Sequence, residues 1–258
     1  MRRARVAFQG SVHEAVVSAD GLSLRLADGR TVPETEVVWL PPVRPRTIIA
    51  LGLNYADHSA ELGFKAPEEP LVFLKGPNAL VGHKSVSRRP ADANQMHYEC
   101  ELAVVIGQTC RNVARADAYS AVGGYTVAND YVIREYLENY YRPNLRAKNR
   151  DGLTPLGPWM VDRDDVADPM DLKLSTTVNG KVVQEGTTRD MIFDIPYLVE
   201  YLTGIMTLYP GDLILTGTPQ GVVYLNPGDV VVTEVEGVGA LCNTLVSDED
   251  FYSPSKGS

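Results

Sequence analysis

The sequence predicts a β-rich α+β fold, in which mixed strands form a compact roll or barrel with a few helices. Short apolar runs of strand length recur along the chain. Asp-Gly and Asn-Gly pairs, which favour hairpin turns, separate several of these runs. Only a few segments combine the length and the capping residues of a helix, and from residue 170 onward strand patterning dominates.

The first 45 residues are expected to form a small β domain. Strands are predicted at 6–8, 14–18, 23–26 and 36–39, with Ala-Asp-Gly turns at 19–21 and 27–29. The linker that follows contains Pro41, Pro42 and Pro45 and cannot be helical. We therefore expect a small N-terminal domain with its linker over residues 1–45, and the main domain over residues 46–258.

The main domain begins with a continuous apolar run, 47–53, which has the length of a buried strand. A helix is predicted over 54–63, because Asn54 and Asp57 are capping residues and Gly63 can end it. Further strands are predicted at 71–75, 99–106 and 124–129, and further helices at 116–123, 132–140 and 195–208. Pro196 suits the first turn of the last helix. Asn179-Gly180 predicts a hairpin between strands 172–178 and 181–184.

The composition disfavours several classes of protein. The 258 residues carry a formal net charge of −9, from 24 Lys and Arg against 33 Asp and Glu, which argues against nucleic-acid binding. The longest uncharged apolar runs are far shorter than the roughly 18 residues of a membrane span, so no membrane association is expected. The three cysteines form neither a CxxC pair nor a disulfide framework, which predicts a reducing, cytoplasmic setting.

Three carboxylates could form a metal site. Glu99 and Glu101 lie two residues apart at the start of a predicted strand, so their side chains point to the same face. Burying two carboxylates without a counter-charge is costly, and a cation would remove that cost. Asp130 follows a second strand and could supply a third oxygen, in a set that favours Mg²⁺, Mn²⁺ or Ca²⁺ over Zn²⁺. The alternative is that both glutamates face solvent at a strand edge.

A second pair of residues could transfer protons. His58 and Glu61 lie three residues apart in a predicted helix, and hence on one face of it. A carboxylate beside an imidazole orients the ring and raises its basicity, as a general base requires. The alternative is a surface pair without a chemical role.

Several motifs occur in an order that resembles the fumarylacetoacetate hydrolase family. They are LGLNYADH at 51–58, HYECELAVVIG at 97–107, NDY at 129–131, AKNRDG at 147–152 and TGTPQGV at 216–222. The resemblance covers residues 46–246. The stretch 131–151 is most similar to the isomerase/decarboxylase branch of that family, which acts in homoprotocatechuate (4-hydroxyphenylacetate) degradation.

The resemblance implies a mixed β-roll, often dimeric, and a role for each of ten residues. Glu99, Glu101 and Asp130 would bind Mg²⁺ or Mn²⁺, and Lys148 would stabilise developing negative charge. His58 and Glu61 would form a catalytic dyad on a mobile lid helix. The substrate-binding positions would be Tyr55, Tyr141, Arg142 and Thr218. Arg142 suits a distal carboxylate, and Thr218 lies in the Thr-Gly-Thr-Pro loop that approaches the substrate carboxylate.

The implied function is metal-dependent decarboxylation of 5-oxopent-3-ene-1,2,5-tricarboxylate and isomerisation of 2-hydroxyhepta-2,4-diene-1,7-dioate in aromatic catabolism. The substrate would be a small 2-oxo or 2-hydroxydienoic polycarboxylate, and the protein partner a second copy or a homologous subunit. One alternative is a C–C hydrolase of acylpyruvates or fumarylpyruvate, or an oxaloacetate decarboxylase, on the same scaffold. Segment 48–53 lacks the fourth carboxylate of the hydrolase that names the family, which weakens the case for hydrolysis. Another alternative is a non-catalytic partner subunit.

Overall fold

The structure, a computed structural model, describes residues 1–57, 65, 67–137 and 144–253. Its strands form a mixed sheet of 12 strands, a sheet of five strands and a two-stranded ladder. The first sheet contains β1 (Arg2–Phe8), β2 (Ser11–Val17), β3 (Ser23–Leu26), β4 (Thr31–Pro33), β5 (Val38–Leu40), β6 (Ile48–Gly52), β7 (Leu71–Lys75), β8 (Leu80–Val81), β11 (Cys100–Ile106), β12 (Val122–Asn129), β14 (Thr154–Asp162) and β17 (Leu213–Leu215). The second contains β9 (Val86–Arg89), β15 (Lys173–Val178), β16 (Lys181–Thr187), β18 (Val230–Val235) and β19 (Gly239–Ser247). The ladder pairs β10 (Met96–His97) with β13 (Val132–Ile133).

The predicted β-rich fold is confirmed, and the N-terminal strands belong to the large sheet. The order β4-β3-β2-β1-β14 joins the first residues of the chain to its middle, and β5 pairs with β1 on the edge opposite β2, beyond the residues that pair with β14. The strands predicted at 6–8, 14–18 and 23–26 are found in β1, β2 and β3, whereas β4 was not predicted. The N-terminal strands share a core that includes Trp39 and packs against Trp159 of β14. The domain boundary at residue 45 stays a prediction.

The remaining strands of the large sheet curl into a roll, in the order β14-β12-β11-β17-β6-β7. The chain leaves the edge strand β7 and returns through β8, which pairs in parallel with β14. Within the described residues β7 pairs only with β6, so the roll does not close into a barrel. Alternate side chains of each strand point to opposite faces. Ala103 and Ala128 thus contribute to the interior of the roll together with Phe73.

The opposite face of the same strands builds the largest core, because Leu102 and Val104 point away from the roll interior. This core includes residues of the five-stranded sheet and of the helix that begins at Ile195. The described α-helices are α1 (Leu145–Lys148), α2 (Ile195–Ile205) and α3 (Asp248–Tyr252). Asp194 caps α2 by accepting from the Tyr197 N–H at 2.8 Å, and Pro196 lies in the first turn as predicted. In the described part of the chain, no helix is long and apolar enough to cross a membrane.

Three helix predictions differ from the structure. The helix predicted over 195–208 ends at Ile205, because Leu208 exchanges two backbone hydrogen bonds of 3.0 Å with Cys110. The segment predicted as a helix over 116–123 is a 3-10 helix, Arg115–Ala121, followed directly by β12. The prediction over 132–140 was wrong at its start, since Val132 and Ile133 are β-branched and pair with β10. Residues 138–140, and most of the helix predicted over 54–63, lie outside the described residues.

Candidate metal centre

The side chains of Glu99, Glu101 and Asp130 meet in the interior of the roll. One oxygen from each lies within 4.8 Å of the others, and all three residues are buried. Two neighbouring strands bring them together, because β11 pairs antiparallel with β12 and the start of β11 lies beside the end of β12. The Asp130 N–H donates to the Glu99 carbonyl at 2.9 Å, which fixes the residues that flank the two strands.

Two lysines neutralise part of this negative charge. The Lys148 ammonium, which α1 positions, donates to Glu99 Oε2 at 2.5 Å and to Asp130 Oδ2 at 2.7 Å. Lys75, the last residue of β7, donates to Asp130 Oδ1 and to the backbone carbonyl of Lys148. Its ammonium is fully buried. Lys75 was not among the predicted site residues, although it ends the predicted strand 71–75.

The directions of the pKa shifts show how these buried charges act on one another. Burial opposes the charged form of Lys148, but Asp130 and Glu99 outweigh it and raise the pKa of the ammonium above its ordinary value. Burial alone would raise the pKa of Asp130, yet Lys148 and Lys75 hold it below the ordinary value. Burial and the two neighbouring carboxylates raise the pKa of Glu101 well above its ordinary value. Glu101 therefore gains more from a further cation than Asp130 does.

The donor atoms fit a hard divalent cation. Glu101 Oε2 accepts the Gly217 N–H at 2.7 Å, whereas Glu101 Oε1 is buried and has no hydrogen-bond partner within the described residues. An unpartnered buried carboxylate oxygen is costly unless a cation or water binds it. Three carboxylates, with no nitrogen or sulfur ligand in the cluster among the described residues, favour a hard cation such as Mg²⁺, Mn²⁺ or Ca²⁺.

The loop after β17 donates a backbone hydrogen bond to Glu101, and the Asn54 side chain in turn hydrogen-bonds to this loop. Asn54 is buried and donates to the carbonyl of Thr216 at 2.9 Å and to that of Phe193 at 3.1 Å. Gly217 has a φ of +90°, and a Cβ atom there would come within 3.0 Å of the Asn54 Cβ. Glycine is therefore the residue that lets this N–H reach the Glu101 carboxylate.

Two of the predicted substrate-binding residues are described. Thr218 is 3% exposed and directly follows Gly217, whose N–H contacts Glu101. Tyr55 is fully buried and forms a β-bridge with Met191. The other two, Tyr141 and Arg142, lie outside the described residues, as do His58 and Glu61 of the predicted dyad. The roles of all six stay predictions.

A family model for the C-terminal part of fumarylacetoacetate (FAA) hydrolase matches residues 47–246. The chain belongs to the fumarylacetoacetate hydrolase family. Within this family, the 4-hydroxyphenylacetate degradation bifunctional isomerase/decarboxylase of Salmonella dublin is 60% identical over 203 residues, which are 79% of this chain and 47% of that protein. The chain thus spans about half the length of the curated relatives it matches at this identity.

Solved structures resemble nearly the whole chain. The 5-carboxymethyl-2-hydroxymuconate delta-isomerase of Mycobacterium smegmatis has a TM-score of 0.86 and 41% identity, over 96% of this chain and 99% of that one. The maleylpyruvate hydrolase of Sphingobium sp. SYK-6, solved with manganese(II) and pyruvate, has a TM-score of 0.81 and 29% identity, with coverage of 96% and 99%. Relatives with this fold therefore include both isomerases and hydrolases.

Proposed function

We propose that this chain is a divalent-metal-dependent isomerase and decarboxylase of small 2-oxo or 2-hydroxydienoic polycarboxylates in aromatic catabolism. The observation that carries the proposal is the buried cluster of Glu99, Glu101 and Asp130, together with the Lys148 ammonium. The 60% identity to a bifunctional isomerase/decarboxylase supports this reaction class. The specific substrates proposed are 5-oxopent-3-ene-1,2,5-tricarboxylate for decarboxylation and 2-hydroxyhepta-2,4-diene-1,7-dioate for isomerisation.

The three carboxylates would hold Mg²⁺ or Mn²⁺, with the unpartnered Glu101 Oε1 as one available ligand atom. When bound, such a cation supplies Lewis acidity toward a 2-oxo group. The Gly217 N–H keeps the Glu101 carboxylate in a fixed orientation, so little reorganisation is needed on binding.

The chain's own residues would then stabilise the negative charge on the substrate and transfer protons. Loss of CO₂ from a carbon conjugated with the 2-oxo group leaves an electron pair on the substrate. Lys148 would support that negative charge, because its carboxylate neighbours keep the ammonium protonated by raising its pKa. In the decarboxylation, His58 with Glu61 would deliver a proton to the carbon that holds this electron pair. In the isomerisation, the same pair would remove a proton from one carbon and return it to another. Tyr55, Tyr141, Arg142 and Thr218 would bind the substrate.

The proposal is tested by assaying the purified chain with Mg²⁺ on the tricarboxylate, while CO₂ release and diene absorbance are followed together. We expect both signals, and expect Glu101→Gln to abolish both along with Mg²⁺ binding. The matched control is Glu234→Gln, which changes an exposed glutamate on β18 and should leave both signals intact. Wild-type protein that binds Mg²⁺ but gives neither CO₂ nor a diene change would refute the proposed reaction and would leave a hydrolase or a non-catalytic subunit.

C–C bond hydrolysis is the second candidate, and the similarity to maleylpyruvate hydrolase favours it. Product analysis separates the two reactions, because hydrolysis of an acylpyruvate releases pyruvate and a second acid without CO₂. A homodimer or a pair with a homologous subunit is also proposed, and sedimentation of the purified chain tests it. A cytoplasmic location stays a prediction from the cysteine content; all three cysteines are free.

A further inference from the structure

A buried glutamine on the five-stranded sheet contacts the loop that carries Thr218. Gln184 of β16 is 2% exposed, and its amide nitrogen donates to Thr218 Oγ1 at 2.9 Å and to the Pro219 carbonyl at 2.7 Å. Its amide oxygen accepts from the Thr176 hydroxyl, directly across the β15–β16 pair, at 2.8 Å. Every hydrogen-bonding group of the Gln184 amide is therefore used.

The orientation of this amide follows from its partners. The Pro219 carbonyl can only accept a hydrogen bond, so the NH₂ group of Gln184 must face the loop. The amide oxygen must then face β15, where Thr176 is the donor. The reversed orientation would place two oxygens against each other at Pro219 and is excluded.

The amide orientation in turn sets the direction of the Thr218 hydroxyl. Because Gln184 donates to Thr218 Oγ1, that oxygen acts as an acceptor and its own hydrogen is left over. Within the described residues the Thr218 hydroxyl makes no other hydrogen bond. Thr218 directly follows Gly217, whose N–H contacts Glu101, so the residue that carries this hydrogen is one position along the chain from the contact with the carboxylate cluster.

We propose that Gln184 is a positioning residue, which keeps the Thr218 hydroxyl as a hydrogen-bond donor for a carboxylate of the substrate. The inference rests on the proposed function insofar as a carboxylate must bind beside the metal centre. A carboxylate only accepts hydrogen bonds, so a hydroxyl that was free to rotate would bind it less well. Gln184 contributes without touching the substrate.

The test is a double-mutant cycle read by calorimetric binding of oxalate to the Mg²⁺-loaded protein. Thr218→Val should weaken oxalate binding by roughly 10- to 100-fold, as expected for a hydrogen bond to a charged group. Gln184→Met should weaken it by several-fold to about tenfold, since the hydroxyl stays but loses its fixed direction. The double variant should bind no more weakly than Thr218→Val alone, because no hydroxyl is left to orient.

Two controls separate this effect from general damage. Thr233→Val removes another fully buried hydroxyl, directly opposite Thr176 in the β15–β18 pair, and should leave oxalate binding unchanged. Mg²⁺ affinity should be the same in all variants, because Gly217 in the same loop still contacts Glu101. If Gln184→Met does not fold, Thr176→Val removes the donor to the Gln184 oxygen and replaces it in the cycle.

Each outcome decides between the two proposals. Equal oxalate affinity in wild type and Gln184→Met, or losses that multiply in the double variant, would overturn the positioning role and leave the proposed function standing. Oxalate binding with the expected coupling but without turnover would support the positioning role and refute the reaction. Absence of oxalate binding by the Mg²⁺-loaded wild type would refute both, since both need a carboxylate beside the centre.

Discussion

Replacement of Lys75 by methionine removes one of the two cations that neutralise the carboxylate cluster. In the wild type, the buried Lys75 ammonium contacts Asp130 Oδ1 and the Lys148 carbonyl. Methionine fills a similar volume but donates no hydrogen bond. The variant therefore leaves one oxygen of a fully buried carboxylate, and one buried carbonyl, without their donor.

The cost follows from this geometry. Removal of one partner from a buried ion pair costs about 3–5 kcal/mol, because the other charge stays buried. At about 2–4 °C per kcal/mol for a chain of this size, the melting temperature in EDTA should fall by roughly 6–20 °C. With all three carboxylates ionised, Lys75 and Lys148 leave one net negative charge, and the variant leaves two. Mg²⁺ should therefore raise the melting temperature of the variant by more than it raises that of the wild type.

Thermal unfolding followed by circular dichroism, with EDTA and with excess Mg²⁺, measures both quantities. The control is Lys173→Met, which removes an exposed lysine at the start of β15 and should change neither. An unchanged melting temperature of Lys75→Met in EDTA would refute the view that Lys75 is needed to neutralise Asp130. A smaller Mg²⁺ shift than in the wild type would refute the charge argument.

Three further predictions concern other parts of the molecule. His58→Ala should lower turnover by roughly 10²–10⁴-fold without changing Mg²⁺ affinity, and wild-type turnover would remove His58 from the mechanism. Burial lowers the pKa of His83 to about 4, so the unfolded chain binds a proton between pH 6.5 and about 4 that the folded chain does not. The free energy of unfolding, measured by urea titration, should therefore fall as the pH drops through this window. His83→Asn keeps an acceptor for the Cys242 N–H but cannot bind the proton, so its free energy of unfolding should depend less on pH. Gly217→Ala should weaken Mg²⁺ binding measured by calorimetry, because its Cβ would press on Asn54 and displace the N–H that orients Glu101; an unchanged affinity would show that the loop adapts.

The carboxylate cluster could be foreseen because it depends on short-range rules. Glu99 and Glu101 share a face through the two-residue period of a strand, and Asp130 follows the strand that pairs with theirs. The error at Val132 and Ile133 arose because their pairing with Met96 and His97 depends on a segment more than 30 residues away. Gln184 was correctly predicted to lie in a strand, but its burial depends on how the loop 216–221 packs against β16, which no local pattern reveals.

Lys75 could not be assigned to the centre because its contact depends on the curvature of the roll. Four steps along the sheet separate β7 from β12, which in a flat sheet would be roughly 19 Å. A lysine and an aspartate side chain cannot span that distance. The two meet because the sheet curls and because β8, just after Lys75, pairs with Thr154 and Pro155 of β14, the neighbour of β12.

The charge balance of the centre is therefore coupled to the completion of the roll. The pairing of β11 with β12 brings Glu101 and Asp130 together, and their charges repel. Lys148 of α1 donates to Glu99 and Asp130, and Lys75, which precedes the β8 strand docked on β14, donates to Asp130. The two lysines thus offset the repulsion that the strand pairing creates, and Lys75 also donates to the Lys148 carbonyl. The buried polar atom left over within the described cluster, Glu101 Oε1, lies where neither lysine donates, and that is the position at which an added cation would bind.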